Sequence, residues 1–352
     1  MFSLHVRSAL YALCLSAVAV SAAPGLSLSL SGADSVVNVE NLNVAATLTN
    51  TGDTTMKILN DPSSILDSDL PTHSFDISSD SGSPDFTGVM VKYNPDYVVK
   101  NNESSSFTVL APGESVTVNH ALGAAYNFTG SGEGSYSIEP ASLFYYVDPD
   151  TSELASINAD TEKHTIQISG TLAVARRSNL DKRISYNGCN STMQADIVSA
   201  AAAAQTYANS SYDYLSSHTA STTRYVTWFG TYTSARHSTV LSDYSNMLAH
   251  PYANYTYDCT TCTKPNTFAY VYPASFGTIY LCGAFWSAPT TGTDSKGGTL
   301  IHESSHFNII GGTQDSAYGQ SGCKILALIN PDQAVKNADN IEYFSENVPA
   351  LP

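Results

Sequence analysis

Two patterns of apolar and polar positions divide the chain near residue 183. In the first half, β-forming residues alternate or cluster in short runs, as in Leu26-Ser-Leu-Ser-Leu-Ser, Val36-Val-Asn-Val-Glu-Asn-Leu-Asn-Val and Tyr97-Val-Val. The turn sequences Asn50-Thr-Gly and Ala111-Pro-Gly separate runs of this kind. Short strands at such intervals predict an all-β domain, an immunoglobulin-like sandwich, within residues 23–183.

The pattern becomes helical in the second half, residues 184–352. Residues 195–215 are rich in alanine and predict a helix. Its apolar side is formed by Ile197, Ala201, Tyr207 and Tyr214. A small β region is predicted in residues 267–273 and 277–282, where β-forming residues cluster. The fold class is therefore α+β, with an all-β domain before a mostly helical one.

The first 22 residues have the layout of a signal peptide. Arg7 precedes an apolar run over residues 9–20, and the small residues 21–23 suit signal peptidase. The run is too short to span a membrane comfortably, and no other segment contains 18 consecutive apolar residues. We therefore expect a secreted, extracellular protein without a membrane segment once residues 1–22, which include Cys14, are removed.

Two dibasic pairs, Arg176-Arg177 and Lys182-Arg183, lie in one short polar stretch between the halves. A Lys-Arg pair in an exposed linker suits a processing protease of the secretory pathway, although many such pairs mark only a solvated linker. The position of Lys182-Arg183 predicts a propeptide, residues 23–183, with roles in folding and latency. The mature domain is then residues 184–352.

The charge of the chain limits its partners. The formal net charge is −16, and residues 184–352 contain 11 Asp and Glu against 6 Lys and Arg. This balance argues against nucleic acid or an anionic membrane as a partner and is compatible with a cationic substrate. Candidate glycosylation sequences, Asn-x-Ser/Thr, occur at Asn102, Asn127, Asn190, Asn209 and Asn254.

The segment Thr299-Leu-Ile-His-Glu-Ser-Ser-His-Phe is the most informative of the chain. On an α-helix, His302 and His306 share one face and can bind one metal ion, while Glu303 can take a proton from a metal-bound water. A surface helix with two histidines is the alternative. Apolar neighbours predict burial instead, at Leu300, Ile301, Phe307, Ile309 and Ile310. A buried helix seldom contains such groups without a partner.

The third metal ligand has two interpretations, of which Asp315 is favoured because a glycine turn accounts for its return. Gly311-Gly312 are predicted to stop the helix and let the chain reverse, which brings Asp315 back towards the imidazoles. Two histidines, one carboxylate and a water then form a tetrahedral catalytic zinc site. In the alternative, as in thermolysin-like enzymes, the ligand is a glutamate on a later helix, Glu342 or Glu346.

His302-Glu303-x-x-His306 followed by Gly312-Thr313-x-Asp315-x-x-Tyr318-Gly319 resembles the aspzincin signature of deuterolysin-type fungal metalloproteases. Other segments of residues 184–352 resemble one branch of that family, the peptidyl-Lys metalloendopeptidases of mushrooms. These segments are Tyr186-Asn-Gly-Cys, Arg224-Tyr-Val-Thr-Trp-Phe-Gly, Phe268-Ala-Tyr-Val-Tyr-Pro, Tyr280-Leu-Cys-Gly-Ala-Phe-Trp, Asn337-Ala-Asp-Asn and Glu342-Tyr-Phe-Ser-Glu-Asn. In the first half only the general layout of a secreted precursor is similar.

The resemblance implies a zincin-type catalytic domain with one Zn²⁺ per chain, a mature enzyme that begins at Ile184 or Ser185, and polypeptide substrates. Five cysteines remain outside the signal peptide, and in an exported protein they are disulfide candidates. Cys259-x-x-Cys262 also has zinc-ribbon spacing, but no second pair follows it. The resemblance implies the disulfide bonds Cys189–Cys259 and Cys262–Cys282. Cys323 is then unpaired.

A mechanism can be stated as a hypothesis. Glu303 is the general base for zinc-activated water, and the Tyr318 hydroxyl donates to the developing oxyanion. The resemblance implies cleavage on the amino side of lysine. Asp339 and Glu342 stand three residues apart, so on a helical turn both carboxylates can face the lysine ammonium. The β region before the zinc helix could supply the edge along which a substrate strand is laid.

Each of these residues and segments also has an interpretation without a catalytic or binding role. Tyr318 can be a core tyrosine, the two carboxylates a solvated helix face, and the β region an ordinary structural strand. A thermolysin-like enzyme would use Glu342 as a ligand, and a structural zinc module would not need Glu303. The expected partners are polypeptide substrates and, before maturation, the chain's own propeptide. The protein is expected to be a monomer.

Overall fold

The computed structural model describes residues 24–174 and 185–352. The predicted signal peptide, both dibasic pairs and Ile184 lie outside the described residues. Among the helices that the structure describes, none combines the length and apolar character needed to cross a membrane.

Residues 24–174 consist mainly of strands. These are β1 (Leu26–Gly32), β2 (Ser35–Val37), β3 (Asn43–Asn50), β4 (Met56–Leu59), β5 (Phe75–Ser78), β6 (Asp85–Phe86), β7 (Met90–Tyr93), β8 (Phe107–Leu110), β9 (Ser115–Ala121), β10 (Tyr126–Asn127), β11 (Gly134–Pro140), β12 (Leu143–Val147), β13 (Leu154–Asn158), β14 (Asp160–Thr161) and β15 (His164–Ser169). One α-helix, α1 (Pro95–Asn101), and short 3-10 helices at Val39–Asn41, Ser104–Ser106 and Leu122–Ala124 interrupt them.

Three four-stranded sheets organise these strands, in the orders β14-β1-β3-β9, β2-β15-β11-β5 and β13-β12-β4-β8. Every second residue of β3 is buried because a strand turns alternate side chains to opposite faces. The buried side chains form one apolar core, to which Leu28, Leu48, Ile138 and Ile166 belong. The immunoglobulin-like topology stays a prediction.

Two predicted strands of this half are wrong. Tyr97-Val-Val lies in α1, because Asn94 accepts a hydrogen bond from the Tyr97 N–H and Pro95 starts the first turn. The run from Val36 to Val44 is not one strand, since a 3-10 helix separates β2 from β3. The presence of α1 also means that the first half is not purely β. Local capping overrides β propensity here.

Helices predominate in residues 185–352. The helices are α2 (Ser191–Ser217), α3 (Thr223–Phe229), α4 (Ser234–Ala249), α5 (Gly283–Ser287), α6 (Lys296–His306), α7 (Gly319–Ile329), α8 (Pro331–Ala334) and α9 (Ala338–Glu346). The strands are β16 (Ser185–Asn187), β17 (Thr256–Asp258), β18 (Thr267–Val271) and β19 (Thr278–Leu281), with a 3-10 helix at Tyr252–Asn254. Helices and sheets together make the chain α+β.

The central helix of this half is α6, which packs between α2 and α9. Small residues allow the close approach, because a Cβ added at Gly297 would lie 2.8 Å from the Cβ of Ala203 on α2. Asn190 begins α2 by accepting a hydrogen bond from the Met193 N–H. The buried side of α2 includes Ile197. This packing fixes the position of α6 at the centre of the second apolar core.

One sheet joins the two halves of the chain. Its strand order is β16-β17-β19-β18-β7, so β7 from the first half extends a sheet formed by the second. The strand β7 pairs antiparallel with β18, and all four of its residues are buried. The two sequence patterns predict separate domains and give no sign of a shared sheet.

Two disulfide bonds, Cys189–Cys259 and Cys262–Cys282, connect elements around this sheet. They have the pairing that the resemblance implies, and they exclude the zinc-ribbon interpretation of Cys259 and Cys262. Cys323 is a buried free thiol on α7.

Candidate active site and metal centre

Helix α6 presents the predicted metal ligands to the interior. Ser295 caps the helix by accepting a hydrogen bond from the Gly298 N–H, and His302, Glu303 and His306 are completely buried. The helix ends at His306, which is earlier than the paired glycines predicted to stop it. The intervening residues form a turn in which Ile309 is 49% exposed, so the predicted burial of that side chain is wrong.

The turn after α6 returns Asp315 to the histidines. Asp315 Oδ1 lies 3.2 Å from His302 Nε2 and 3.3 Å from His306 Nε2. All three atoms are buried and have no hydrogen-bond partner among the described residues. Although burial raises the pKa of Asp315, the two imidazoles outweigh it and hold that pKa well below its usual value.

These three atoms fit a tetrahedral metal ion. Ligand atoms bound to tetrahedral zinc at about 2.0–2.1 Å are about 3.3 Å apart, which matches both distances to Asp315 Oδ1. Buried polar atoms without hydrogen-bond partners destabilise a fold unless a bound ligand replaces the lost contacts with water. The residues therefore suit a metal bound by His302, His306 and Asp315, with further positions open.

Neighbouring groups hold the ligands in place. His306 Nδ1 lies 2.9 Å from the carbonyl oxygen of Thr313, and His302 Nδ1 lies 2.8 Å from Asp339 Oδ1. Contacts of this kind fix the ring orientation of metal-binding histidines. The Asn337 side-chain oxygen accepts hydrogen bonds from the N–H groups of residues 316 and 317, directly after Asp315. The loop is thereby tied to the start of α9.

The alternative third ligands lie elsewhere. Glu342 Oε2 lies 3.3 Å from the other ring nitrogen of His302, Nδ1, and 2.7 Å from Lys92 Nζ. The second cluster that could hold a metal contains His302, Asp339 and Glu342 but not His306. Glu346 accepts hydrogen bonds from Ser295, at the beginning of α6. The geometry favours Asp315 over both glutamates.

Glu303 and Tyr318 contact one peptide unit of β7, between Val91 and Lys92, at its nitrogen and at its oxygen. Glu303 Oε1 accepts a hydrogen bond from the Lys92 backbone N–H at 2.9 Å, while its Oε2 has no partner among the described residues. Burial raises the pKa of Glu303 to about 8. The Tyr318 hydroxyl donates to the Val91 carbonyl oxygen at 3.3 Å and lies 3.1 Å from Ser63 Oγ.

Three carboxylates form an acidic pocket beside the histidines. The pocket, formed by Asp294, Asp339 and Glu342, surrounds the Lys92 ammonium at 3.2, 3.1 and 2.7 Å. The ring of Tyr343 lies 5.1 Å from the same nitrogen. Burial lowers the pKa of an ammonium, but the three carboxylates outweigh it and raise the pKa of Lys92 well above its usual value.

Sequence reasoning found two of these carboxylates and missed the third. Asp294 stands alone in the segment Thr290-Thr-Gly-Thr-Asp, where no spacing motif points to it. Its backbone φ of 52° is one that aspartate tolerates better than most residues. Lys92 was also missed, although a single lysine inside the apolar run Val89-Met-Val-Lys-Tyr is an available signal. Thr313, which holds His306, lies inside the recognised motif.

Residues 214–346 match a family described as lysine-specific metallo-endopeptidase. The chain is 81% identical over 350 residues to a peptidyl-Lys metalloendopeptidase of Armillaria mellea, covering 99% of each chain. It is 55% identical over 345 residues to one of Grifola frondosa, covering 97% of this chain and 99% of the relative. A solved zinc peptidase of Grifola frondosa, 60% identical, matches 47% of this chain and 100% of its own at a TM-score of 0.46. This chain therefore belongs to the aspzincin family of metalloendopeptidases.

Proposed function

We propose that the chain is a secreted zinc metalloendopeptidase, made as a zymogen, that hydrolyses peptide bonds on the amino side of lysine. One zinc ion is held by His302, His306 and Asp315. The observation that supports this most strongly is the acidic pocket next to the candidate metal ligands, because it can hold a lysine ammonium. Relatives named peptidyl-Lys metalloendopeptidase agree with it.

Bound zinc would activate a water molecule and polarise the carbonyl group of the scissile bond. Glu303 is placed to accept the proton of that water and to pass it to the leaving amine, since its Oε1 already accepts a hydrogen bond from a peptide N–H. Tyr318 is placed to donate to the carbonyl oxygen of the same peptide unit. Glu303 thus contacts the nitrogen side, and Tyr318 the oxygen side, of the same peptide bond.

The acidic pocket explains a preference for lysine over arginine. Asp339 and Glu342 are fully buried, and Asp294 closes the pocket from the partly exposed side. A compact ammonium can donate one hydrogen bond to each of three carboxylates, whereas the planar fork of arginine needs a wider and longer space. Carboxylates in a buried site need a cation to offset the cost of burial.

Export and maturation complete the proposal. Residues 1–22 act as the signal peptide, and residues 23–183 are a propeptide that is released by cleavage after Lys182-Arg183. Sequencing the secreted protein should give an amino terminus at Ile184 or within two residues of it. Replacement of Lys182 and Arg183 by alanine should leave a longer and less active form. Full activity of an unprocessed chain would exclude the latency role.

A digest of a denatured protein by the processed enzyme tests the specificity, because mass spectrometry then identifies each new terminus. Lysine should stand at the amino terminus of nearly every product, a chelator should abolish cleavage, and zinc should restore it. Cuts without regard to lysine would leave a general deuterolysin-like protease. Glu303→Gln should retain zinc and lose activity. If processed protein held zinc and cut no unfolded polypeptide, the structural zinc module would be the better account.

A further inference from the structure

The strand β7 lies in the active-site cleft as an added strand of the catalytic sheet. It pairs antiparallel with β18 in the register Met90↔Val271, Val91↔Tyr270 and Lys92↔Ala269. The order of strands places it at the outer edge of the sheet, next to β18. Many peptide-binding proteins hold an extended peptide by adding it to a sheet edge in this way.

The side chain of Lys92 lies in the acidic pocket. It is fully buried, and its ammonium contacts all three carboxylates of the pocket. Lys92 follows Val91 directly, so a cut on the amino side of this lysine would break the Val91–Lys92 peptide bond. The pocket is therefore occupied in this chain by the chemical group that we propose it to recognise.

The backbone of β7 adds an observation that is independent of the pocket. Three groups of the proposed catalytic centre contact the peptide unit between Val91 and Lys92 or the N–H that precedes it. Glu303 accepts from the Lys92 N–H at 2.9 Å, and Tyr318 donates to the Val91 carbonyl oxygen at 3.3 Å. Asp315 Oδ2 accepts from the Val91 N–H at 3.0 Å. A substrate bond held for hydrolysis needs the first two of these contacts, an acid/base group at the nitrogen of the leaving amine and a donor at the carbonyl oxygen.

A purely structural role does not account for this arrangement. Strand pairing requires only backbone hydrogen bonds, and the neighbours Val89, Met90 and Val91 already supply apolar side chains. Burying an ammonium with three carboxylates carries a large desolvation cost, and a hydrophobic residue at the same position would avoid this loss of stability. If the shape and charge of the pocket are adapted to the lysine of a substrate, a lysine of the chain's own first half can occupy it by imitating that substrate. This accounts for the buried lysine.

We infer that residues 24–174 act as a substrate-like inhibitor of the protease, with Lys92 in the place of the substrate lysine and Val91–Lys92 in the place of the scissile bond. This inference rests on the proposed function and extends it to the means of latency. It also fixes the substrate register: the residue before the bond lies opposite Tyr270 and the lysine opposite Ala269.

Contacts away from the cleft hold the inhibitory strand in place. Lys264 pairs with Asp67 at 2.7 Å and Asp69 at 2.6 Å, across the two halves. The Tyr97 hydroxyl lies 2.9 Å from Ser287 Oγ. The inhibitory strand and the pocket belong to the same chain, so the effective concentration of the strand at the pocket is high. An incoming peptide must compete with it.

The test uses the unprocessed chain with Lys182→Ala and Arg183→Ala, loaded with zinc. The probe is a fluorescent peptide with a single lysine, in which a reduced CH2–NH group replaces the amide before that lysine, so that it cannot be hydrolysed. Fluorescence anisotropy measures its Kd. We expect Lys92→Ala to bind the probe at least tenfold more tightly than the parent chain. Equal binding by the two chains would overturn the inference.

Lys163→Ala is the matched control. Lys163 lies in the same half, with a side chain that is 62% exposed and paired with Glu139 at the surface. This variant removes the same charge and should bind the probe as weakly as the parent chain. If Lys163→Ala bound the probe as tightly as Lys92→Ala does, the tighter binding would come from a loosened fold or a lost charge and not from an emptied pocket. That result would overturn the inference.

Hydrogen exchange on the parent chain decides the matter if Lys92→Ala does not fold. Saturating probe should speed exchange at the amides of Val91 and Lys92, because it displaces β7; unchanged protection would overturn the inference. The processed enzyme separates the two proposals. If it selects lysine while Lys92→Ala and parent bind the probe equally, only the inhibitor inference fails. If it shows no lysine preference, both fail.

Discussion

The Tyr343 hydroxyl donates a hydrogen bond of 2.7 Å to Asp294 Oδ1, the same oxygen that lies 3.2 Å from the Lys92 ammonium. Tyr343 thereby orients the one carboxylate of the acidic pocket that does not come from α9. A second contact supports the same segment, because Glu346 accepts a hydrogen bond from the Asp294 N–H. The pocket is therefore built by α9 together with the loop before α6.

Asp294→Asn should weaken lysine recognition without affecting metal binding. The substitution keeps the size of the side chain and removes one charge from a partly exposed position, so kcat/KM for lysine substrates should fall by about 3- to 10-fold. Tyr343→Phe should give a smaller loss, about 2- to 5-fold, because the carboxylate remains. Steady-state kinetics and zinc content measure both effects.

Asp332→Asn is the matched control for these variants. Its side chain is 79% exposed and pairs with Arg236 away from the cleft. It should leave kcat/KM unchanged. If Asp294→Asn kept full lysine preference in a competitive digest, the pocket would consist of Asp339 and Glu342 alone.

Metal content should separate the two candidate third ligands. Asp315→Ala removes an atom that lies 3.2–3.3 Å from both imidazoles, and it should weaken zinc binding by more than about 100-fold, beyond the usual effect of a residue that only orients a ligand. Glu342→Ala should retain zinc after gel filtration and lose lysine preference. Mass spectrometry of bound metal measures both; zinc loss in Glu342→Ala with retention in Asp315→Ala would support the thermolysin-like site.

The parts of the site that are close in sequence could be predicted, and the parts that depend on distant contacts could not. His302, Glu303 and His306 follow from helical spacing, and Asp315 follows from a short return of the chain. Asp294 reaches the pocket only because α9 and the loop before α6 meet in three dimensions. No local spacing encodes that meeting.

The fold shows the same limit. Periodicity identified the β-rich first half and the helical second half, but the helix α1 depends on capping by Asn94, which outweighs the β propensity of Tyr97-Val-Val. The pairing of β7 with β18 joins residues about 180 positions apart. Such pairing depends on a complementary cleft in the other half, which hydrophobic patterning within β7 does not reveal.

Gly298→Ala should destabilise the junction of α6 and α9. A Cβ at this position would lie 2.1 Å from Glu346 Oε1 and 2.9 Å from Glu342 Oε1. Glu346 cannot move freely, because Oε1 accepts hydrogen bonds from both the N–H and the hydroxyl of Ser295. We expect the free energy of unfolding to fall by about 1–3 kcal/mol, measured by urea denaturation, together with a loss of lysine preference.

Gly322→Ala is the matched control for the effect of alanine in a helix. On α7 a Cβ at Gly322 would meet its nearest neighbour, Ala317, at 3.7 Å, which is ordinary contact. That variant should be more stable by about 0.5–1 kcal/mol, since alanine favours a helix more than glycine does. A stabilising Gly298→Ala would contradict the close approach of α9 to α6.

Asp243→Asn should change the pH dependence of stability. Asp243 lies on α4 against the turn after α6, where a Cβ at Gly311 would be 3.0 Å from its Cγ. Burial raises the pKa of Asp243 from 3.8 to about 7. The folded chain therefore holds this proton more tightly than the unfolded chain, so the contribution to stability is full below about pH 4 and is lost as pH rises to about 7. The loss amounts to at most about 4 kcal/mol at 1.36 kcal/mol per pKa unit.

Asparagine has no such titration, so the free energy of unfolding of the variant, relative to the parent, should rise between pH 4 and 7. Asp213→Asn, which removes a carboxylate at an exposed position on α2, is the matched control and should leave the free energy of unfolding within about 0.5 kcal/mol of the parent value. Urea denaturation at several pH values measures the difference, and a constant difference for Asp243→Asn would contradict the raised pKa.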